Sequence, residues 1–274
     1  MAPYLIAAGM LGYLAWPVLK WWWWEYTSPE SYYSHGPLIP IMAGFMLWND
    51  RAGLSGVVKR PNFWAVMLLV PALALLVFAI KEDARALQSL GLMLAVWSSV
   101  WLALGSAFVR RAWMSLAFLA LMMPLPGPLL NDATLSLQMM STVLAAKMLG
   151  ALGFANVQQG NLISMRSFQL SVDVPCSGFK TLLALFTFNA FLAAMLDGPV
   201  RKRIVLFLVC APLALLINSV RIVLIGIVGQ WFGAHAAHVF HDYSGLLTLT
   251  IGFIVLFLFA KLLGCRRFAG LAIF

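Results

Sequence analysis

IVLFLVCAPLALLINSVRIVLIGIVG, residues 204–229, is a 26-residue apolar run broken by one charge, Arg221, and one side-chain amide, Asn218. A helix needs about 20 apolar residues to cross a hydrocarbon core ~30 Å thick, and this run exceeds that length. Immediately before it stand Arg201, Lys202 and Arg203, the kind of basic flank that marks a cytoplasmic helix end. The run therefore reads as a transmembrane helix rising from the cytoplasmic side. The rest of the chain has the same character: 63% of its 274 residues are hydrophobic and 10% charged, against roughly half and a quarter in a soluble domain. That balance excludes a soluble globular protein.

Seven more apolar stretches lie outward from this one, at 3–19, 36–48, 63–80, 87–105, 112–128, 177–196 and 244–263. The expected fold is an all-α, polytopic membrane bundle of about eight transmembrane helices, with residues 1–274 forming a single domain. The first stretch has no basic leader and no small-residue cleavage site, so a retained helix is expected rather than a signal peptide. The second is short for a span. With the N-terminus cytoplasmic, eleven basic residues (51, 59, 60, 110, 111, 201–203, 261, 266, 267) fall inside and five (20, 81, 85, 147, 166) outside. The positive-inside rule selects this orientation, with both termini cytoplasmic. The formal charge of +9 thus reflects membrane orientation, and no soluble basic domain is present to bind nucleic acid.

Residues 129–154 are long enough to span but carry Asn131, Asp132, Thr134, Gln138, Ser141 and Lys147. They are expected to form an amphipathic helix lying on the outer surface or partly inserted. Residues 156–173 alternate apolar and polar side chains, as a short hairpin would, and lead into Val174-Pro175-Cys176-Ser177-Gly178.

Three chemically loaded residues gather at the outer face in this topology. Cys176 precedes a span, near the positive end of a helix dipole, where a thiol pKa of about 8.5 can fall to between roughly 3.5 and 7.5. Small Ser177 and Gly178 leave room for a substrate backbone. Arg221 sits inside a span, which costs at least about 2.5–3.5 kcal/mol on insertion scales and so marks function or an ion pair. It lies 18 residues beyond Arg203, or about 27 Å up a helix, with Asn218 one turn earlier to orient it. The ladder His235, His238, His241 is expected in an outer loop, with His35 outside as well. His241, followed by Asp242 and closest to the last span, suits a general base beside a thiol; His238 remains an alternative. A metal reading has no carboxylate partners to support it, and neither a metal nor a cofactor is expected. Cys210 and Cys265 are placed as structural cysteines, with no disulfide. Cys176 as nucleophile, His241 as base and then acid, and Arg221 stabilising a thiolate or oxyanion make one constellation.

In these residues the chain resembles the exosortase/archaeosortase family of membrane cysteine transpeptidases. The resemblance runs through Ser34-His35-Gly36-Pro37, Pro124-Leu125-Pro126, Leu137-Gln138, Gly160-Asn161, Cys176-Ser177-Gly178, Asn218-Ser219-Val220-Arg221, and His241 with Gly245. It implies a catalytic cysteine, arginine and histidine, which fall on Cys176, Arg221 and His241. It implies as substrates secreted proteins that end in a short motif such as Pro-Glu-Pro, a hydrophobic helix and a basic tail. It further implies cleavage through a thioester at the outer face of the bacterial cytoplasmic membrane, among membrane lipids, with an amine acceptor or water resolving the acyl-enzyme. Lys180 stands where many relatives have arginine and, with Asn218, His35, Ser177 and Gly178, makes up the expected substrate-binding set. Two other readings use the same residues: a transporter with Arg221 and the histidines along a substrate or proton path, and a membrane acyltransferase or metal hydrolase built on the histidine ladder.

Overall fold

A computed structural model describes residues 2–29, 31–172, 178–265 and 267–272. The chain divides into two compact units, Met1–Pro126 and Gly127–Phe274.

The first unit holds α1 (Ala2–Thr27), α2 (Leu38–Asn49), the short α3 (Arg51–Ser55), α4 (Val66–Lys81) and α5 (Arg85–Phe118). Helices α4 and α5 form its tightest pair. Gly91 makes their close approach possible, because a Cβ there would lie 2.9 Å from the Leu76 backbone nitrogen. The turn between them is tied by Gln88 Nε2 donating to Ala79 O at 3.1 Å. Trp22 of α1 adds a hydrogen bond to Ser89 Oγ at 2.9 Å. Helix α5 breaks at Gly105, whose φ of +82° a residue with a Cβ adopts only at a cost. Arg60 O sits where that Cβ would be, so one glycine lets the 56–62 loop pack into the break.

The second unit begins with α6 (Gly127–Ala151). A sheet of β1 (Asn156–Gln159), β2 (Leu162–Met165) and β3 (Gln169–Ser171) follows, then α7 (Phe179–Met195) and α8 (Val200–Leu262). A small hairpin, β4 (Arg267–Phe268) and β5 (Leu271–Ala272), comes last. Helix α7 and both arms of α8 pack over an apolar core of Leu185, Leu206, Cys210 and Leu256. The part of α8 around Ile222 and Ile225 packs with α6 and the sheet through Leu149, Ile163 and Val172.

The described residues carry eight α-helices, but these are not the eight expected crossings one for one. The stretch 87–105 and residues 112–118 lie on either side of the Gly105 break in α5, and 204–229 and 244–263 on either side of the Gly233 break in α8. Helix α8 breaks only at Gly233 (φ +85°), so the expected outer loop of histidines is instead the first turns of a second helical arm. The physical reason is local: one left-handed glycine restarts the helix at once, with no linker. Among the described residues, three segments suffice by length and composition to cross a membrane: Phe63–Lys81, Arg85–Met122 and Val200–Leu262. The expected hairpin at 156–173 is a three-stranded antiparallel meander, β1–β2–β3.

Helix α6 is amphipathic in the inverted sense. Its polar residues Thr134, Gln138, Ser141 and Thr142 are buried, while Leu135, Met139, Met140 and Val143 are exposed. The polar stripe faces the unit and the apolar stripe faces away from it. In an apolar solvent exposed leucine and methionine cost nothing, whereas polar groups need internal partners.

Candidate active site

The two arms of α8 fold back on each other and bring 218–221 against 241–245. Asn218 and Arg221 are both buried, at 3% and 6% exposure. The Arg221 guanidinium donates from Nε to Ser244 Oγ at 2.8 Å and from Nη2 to His241 O at 3.0 Å. The Ser244 hydroxyl donates in turn to His241 O at 2.9 Å. These two bonds, to a hydroxyl and a main-chain carbonyl, orient the guanidinium. Gly245 lies in ordinary contact with Nη2, where a Cβ would stand 3.7 Å away.

The His241 side chain is a quarter exposed, with Nδ1 facing Asp242 Oδ1 at 3.2 Å. His238, largely exposed, turns its own Nδ1 to Asp242 Oδ2 at 3.4 Å. An Nδ1–H held by the carboxylate leaves Nε2 with its lone pair, which is the form a general base needs. His235 is exposed. Among the described residues no cluster of three or more histidine, cysteine or acidic side chains could hold a metal ion.

Cys176 and Ser177 lie outside the described residues, but both flanks of their segment are described. Val172 N donates to Asn161 O at 2.9 Å, and Val172 O accepts from Asn161 Nδ2 at 3.2 Å and from Gln138 Nε2. On the far side, Gly178 caps α7 in the left-handed region at φ +77°. A Cβ on Gly178 would meet Asn218 Cγ at 2.4 Å. Conformation and contact therefore both demand glycine there, and the Asn218 amide packs on the backbone two residues after Cys176. Lys180 is exposed on the first turn of α7.

His35 belongs to the first unit, where it is buried at 7% exposure with its ring 6.3 Å from that of Tyr33. Tyr33 Oη accepts from Leu125 N at 2.8 Å, and Tyr26 Oη donates to Met122 O at 2.7 Å. The Tyr26 ring lies where a Cβ on Gly36 would be. These contacts fasten the Ser34–Pro37 turn to the segment before Pro126. Burial chiefly pushes the Tyr33 phenol up to about 12, helped by Glu25 and opposed by the bond from Leu125, so it stays neutral and can go on accepting.

The structure thus brings Asn218, Arg221, His241 and Gly178 into one unit and sets His35 in the other. Reading residues one at a time did not single out Ser244, while Asp242 was noted only as the neighbour of His241 and Gln138 and Asn161 entered only through the resemblance. The available signals were the i, i+3 spacing of Ser244 from His241 and the amide of Gln138 in the middle of a largely apolar helix.

No curated protein and no solved structure matches this chain. The model of the transmembrane exosortase family matches residues 21–258, a span that begins within α1, crosses both units and ends beyond the Arg221–Ser244–His241 cluster. The chain is a membrane protein and belongs to the transmembrane exosortase family.

Proposed function

We propose that this protein is a cysteine-dependent transpeptidase or protease that removes C-terminal sorting signals from translocated proteins. The observation that carries the reading is the shared anchoring of Arg221 and His241: a buried guanidinium is fixed beside a histidine whose Nδ1 faces a carboxylate. The family match supports a membrane peptidase or transpeptidase role in general.

In the proposed reaction His241 Nε2 takes the proton of the Cys176 thiol, and the thiolate attacks the carbonyl carbon of the scissile peptide. Arg221 stabilises first the thiolate and then the oxyanion. As the C–N bond breaks, His241 returns the proton to the leaving amine, and the signal's helix and tail depart. The thioester left on Cys176 is resolved by an amine acceptor or by water, which regenerates the thiol. Asn218, Gly178, Ser177 and Lys180 are the substrate-binding residues proposed for this unit. Lysine at 180 offers a point charge in place of a planar fork, which favours a signal motif differing from Pro-Glu-Pro at the acidic residue.

The proposed topology has about eight crossings in one domain, both termini in the cytoplasm and the site on the outer face. The charge distribution supports it, as does the family match across both units. The test is co-expression with a secreted reporter ending in such a motif, an apolar helix and a basic tail. Loss of the tail only when this chain is present, with a new C-terminus at the motif by mass spectrometry, supports the proposal. An unprocessed reporter across several signal variants overturns it and favours a transport role for Arg221.

A further inference from the structure

We infer that Ser244 is a positioning residue that sets the working orientation of Arg221, an inference that rests on the function proposed above. One hydroxyl closes a ring of three hydrogen bonds: Arg221 Nε to Ser244 Oγ, Ser244 Oγ to His241 O, and Arg221 Nη2 to the same carbonyl. The two bonds to the facing arm lie along the Nε–Nη2 edge of the guanidinium. That fixes the plane of the fork and hence the direction of Nη1.

A guanidinium serves a developing negative charge best when its donors are aimed before the reaction begins. Arg221 reaches its place on a flexible stem, so the aim must come from partners. Ser244 is buried on the facing arm of α8, and its own main-chain carbonyl accepts from Thr248 Oγ1 at 2.9 Å. Removing the hydroxyl leaves Nε–H without that acceptor in a buried site, where an unmet donor is costly, and the fork turns to find another. The same loss releases the His241 carbonyl from one of its two side-chain donors. Ser244 thereby ties the orientation of the arginine to the backbone of the histidine.

The test uses the full chain in membranes, with Ser244→Ala and Ser244→Thr, and two readouts. One is the rate of reporter processing. The other is the pH midpoint for alkylation of Cys176 by iodoacetamide without substrate, read by mass spectrometry of the Cys176 peptide. Ser244→Ala is expected to lower kcat by about tenfold to a hundredfold with little change in KM. It is also expected to raise the alkylation midpoint by about one pH unit. Ser244→Thr keeps the hydroxyl and is expected to return both readouts towards wild type. In an Arg221→Lys background, where there is no fork to aim, adding Ser244→Ala is expected to shift the midpoint no further.

Wild-type processing and midpoint in Ser244→Ala would overturn the inference, as would a Ser244→Thr variant as impaired as Ser244→Ala. The two levels of the account fail differently. Processing by Cys176→Ala sinks the cleavage mechanism, while an immobile midpoint in Ser244→Ala sinks only the positioning role.

Discussion

The side-chain amide of Gln138 on α6 donates to the main-chain carbonyl of Val172, four residues ahead of Cys176 in the chain. Asn161, from the β1–β2 turn, donates to the same carbonyl and accepts from the same residue's amide. An inverted helix and a small sheet thus converge on the point where the chain leaves the sheet for the cysteine segment.

Replacing Gln138 by leucine keeps the volume and removes one of two donors to Val172 O. The expected cost is about 1 kcal/mol of stability, with reporter processing reduced about tenfold. Adding Asn161→Ala is expected to lower processing well below either single variant. Thermal unfolding in detergent and the processing rate check this together. Undiminished processing in the double variant would show that the Val172 anchor does not govern the cysteine segment.

Gly178→Ala meets two obstacles, a left-handed backbone that costs an L-residue about 1–2 kcal/mol and the Asn218 side chain at 2.4 Å. We expect a lower melting temperature and loss of processing. Trimming the obstacle with Asn218→Ala is expected to recover only part of the melting temperature, since φ is unchanged. Full recovery would mean that the contact alone was responsible.

His241 and His238 share the Asp242 carboxylate, but the His241 side chain is 26% exposed and that of His238 78%. We expect His241→Ala to abolish processing and Asp242→Ala to lower kcat about tenfold by freeing the ring to turn. His238→Ala is expected to have the smallest effect of the three. The reverse order for the two histidines would move the base to His238.

How far the sequence revealed this site depended on the kind of information each residue needed. Arg221 and His241 could be paired by counting: 18 residues up one helix and the start of the next placed them at similar heights. Ser244 could not, because its hydroxyl reaches Arg221 only through the rotation of the second arm after Gly233. A single glycine in an apolar chain does not announce whether a helix turns back through a loop or a sharp break. Helix α6 was recognisable as amphipathic, yet periodicity identifies two faces without saying which meets lipid. That Gln138 turns inward to Val172 is visible only in three dimensions. The short strands at 156–171 were visible as alternation, but the third strand depended on the return of Gln169–Ser171 beside β2.

Away from the site, Arg111 donates Nε and Nη2 to the two carboxylate oxygens of Asp50. These bonds, with the charge of Arg111 adding to them, hold the Asp50 carboxyl below the usual carboxylate range. A carboxyl depressed in the folded state contributes stability above its unfolded pKa and loses it as pH falls through the folded value. Because the pair is largely exposed, solvent screening keeps its contribution small. Asp50→Asn should therefore lower the melting temperature slightly at neutral pH, with the difference from wild type shrinking as pH falls below about 4. A difference that grew on acidification would contradict this.

The central claim is that Cys176 carries the bond-breaking step. The most direct measurement compares release of the reporter's C-terminal helix and tail by wild type and Cys176→Ala at equal membrane abundance. The account predicts release by wild type and none by Cys176→Ala. Release undiminished in Cys176→Ala would contradict it.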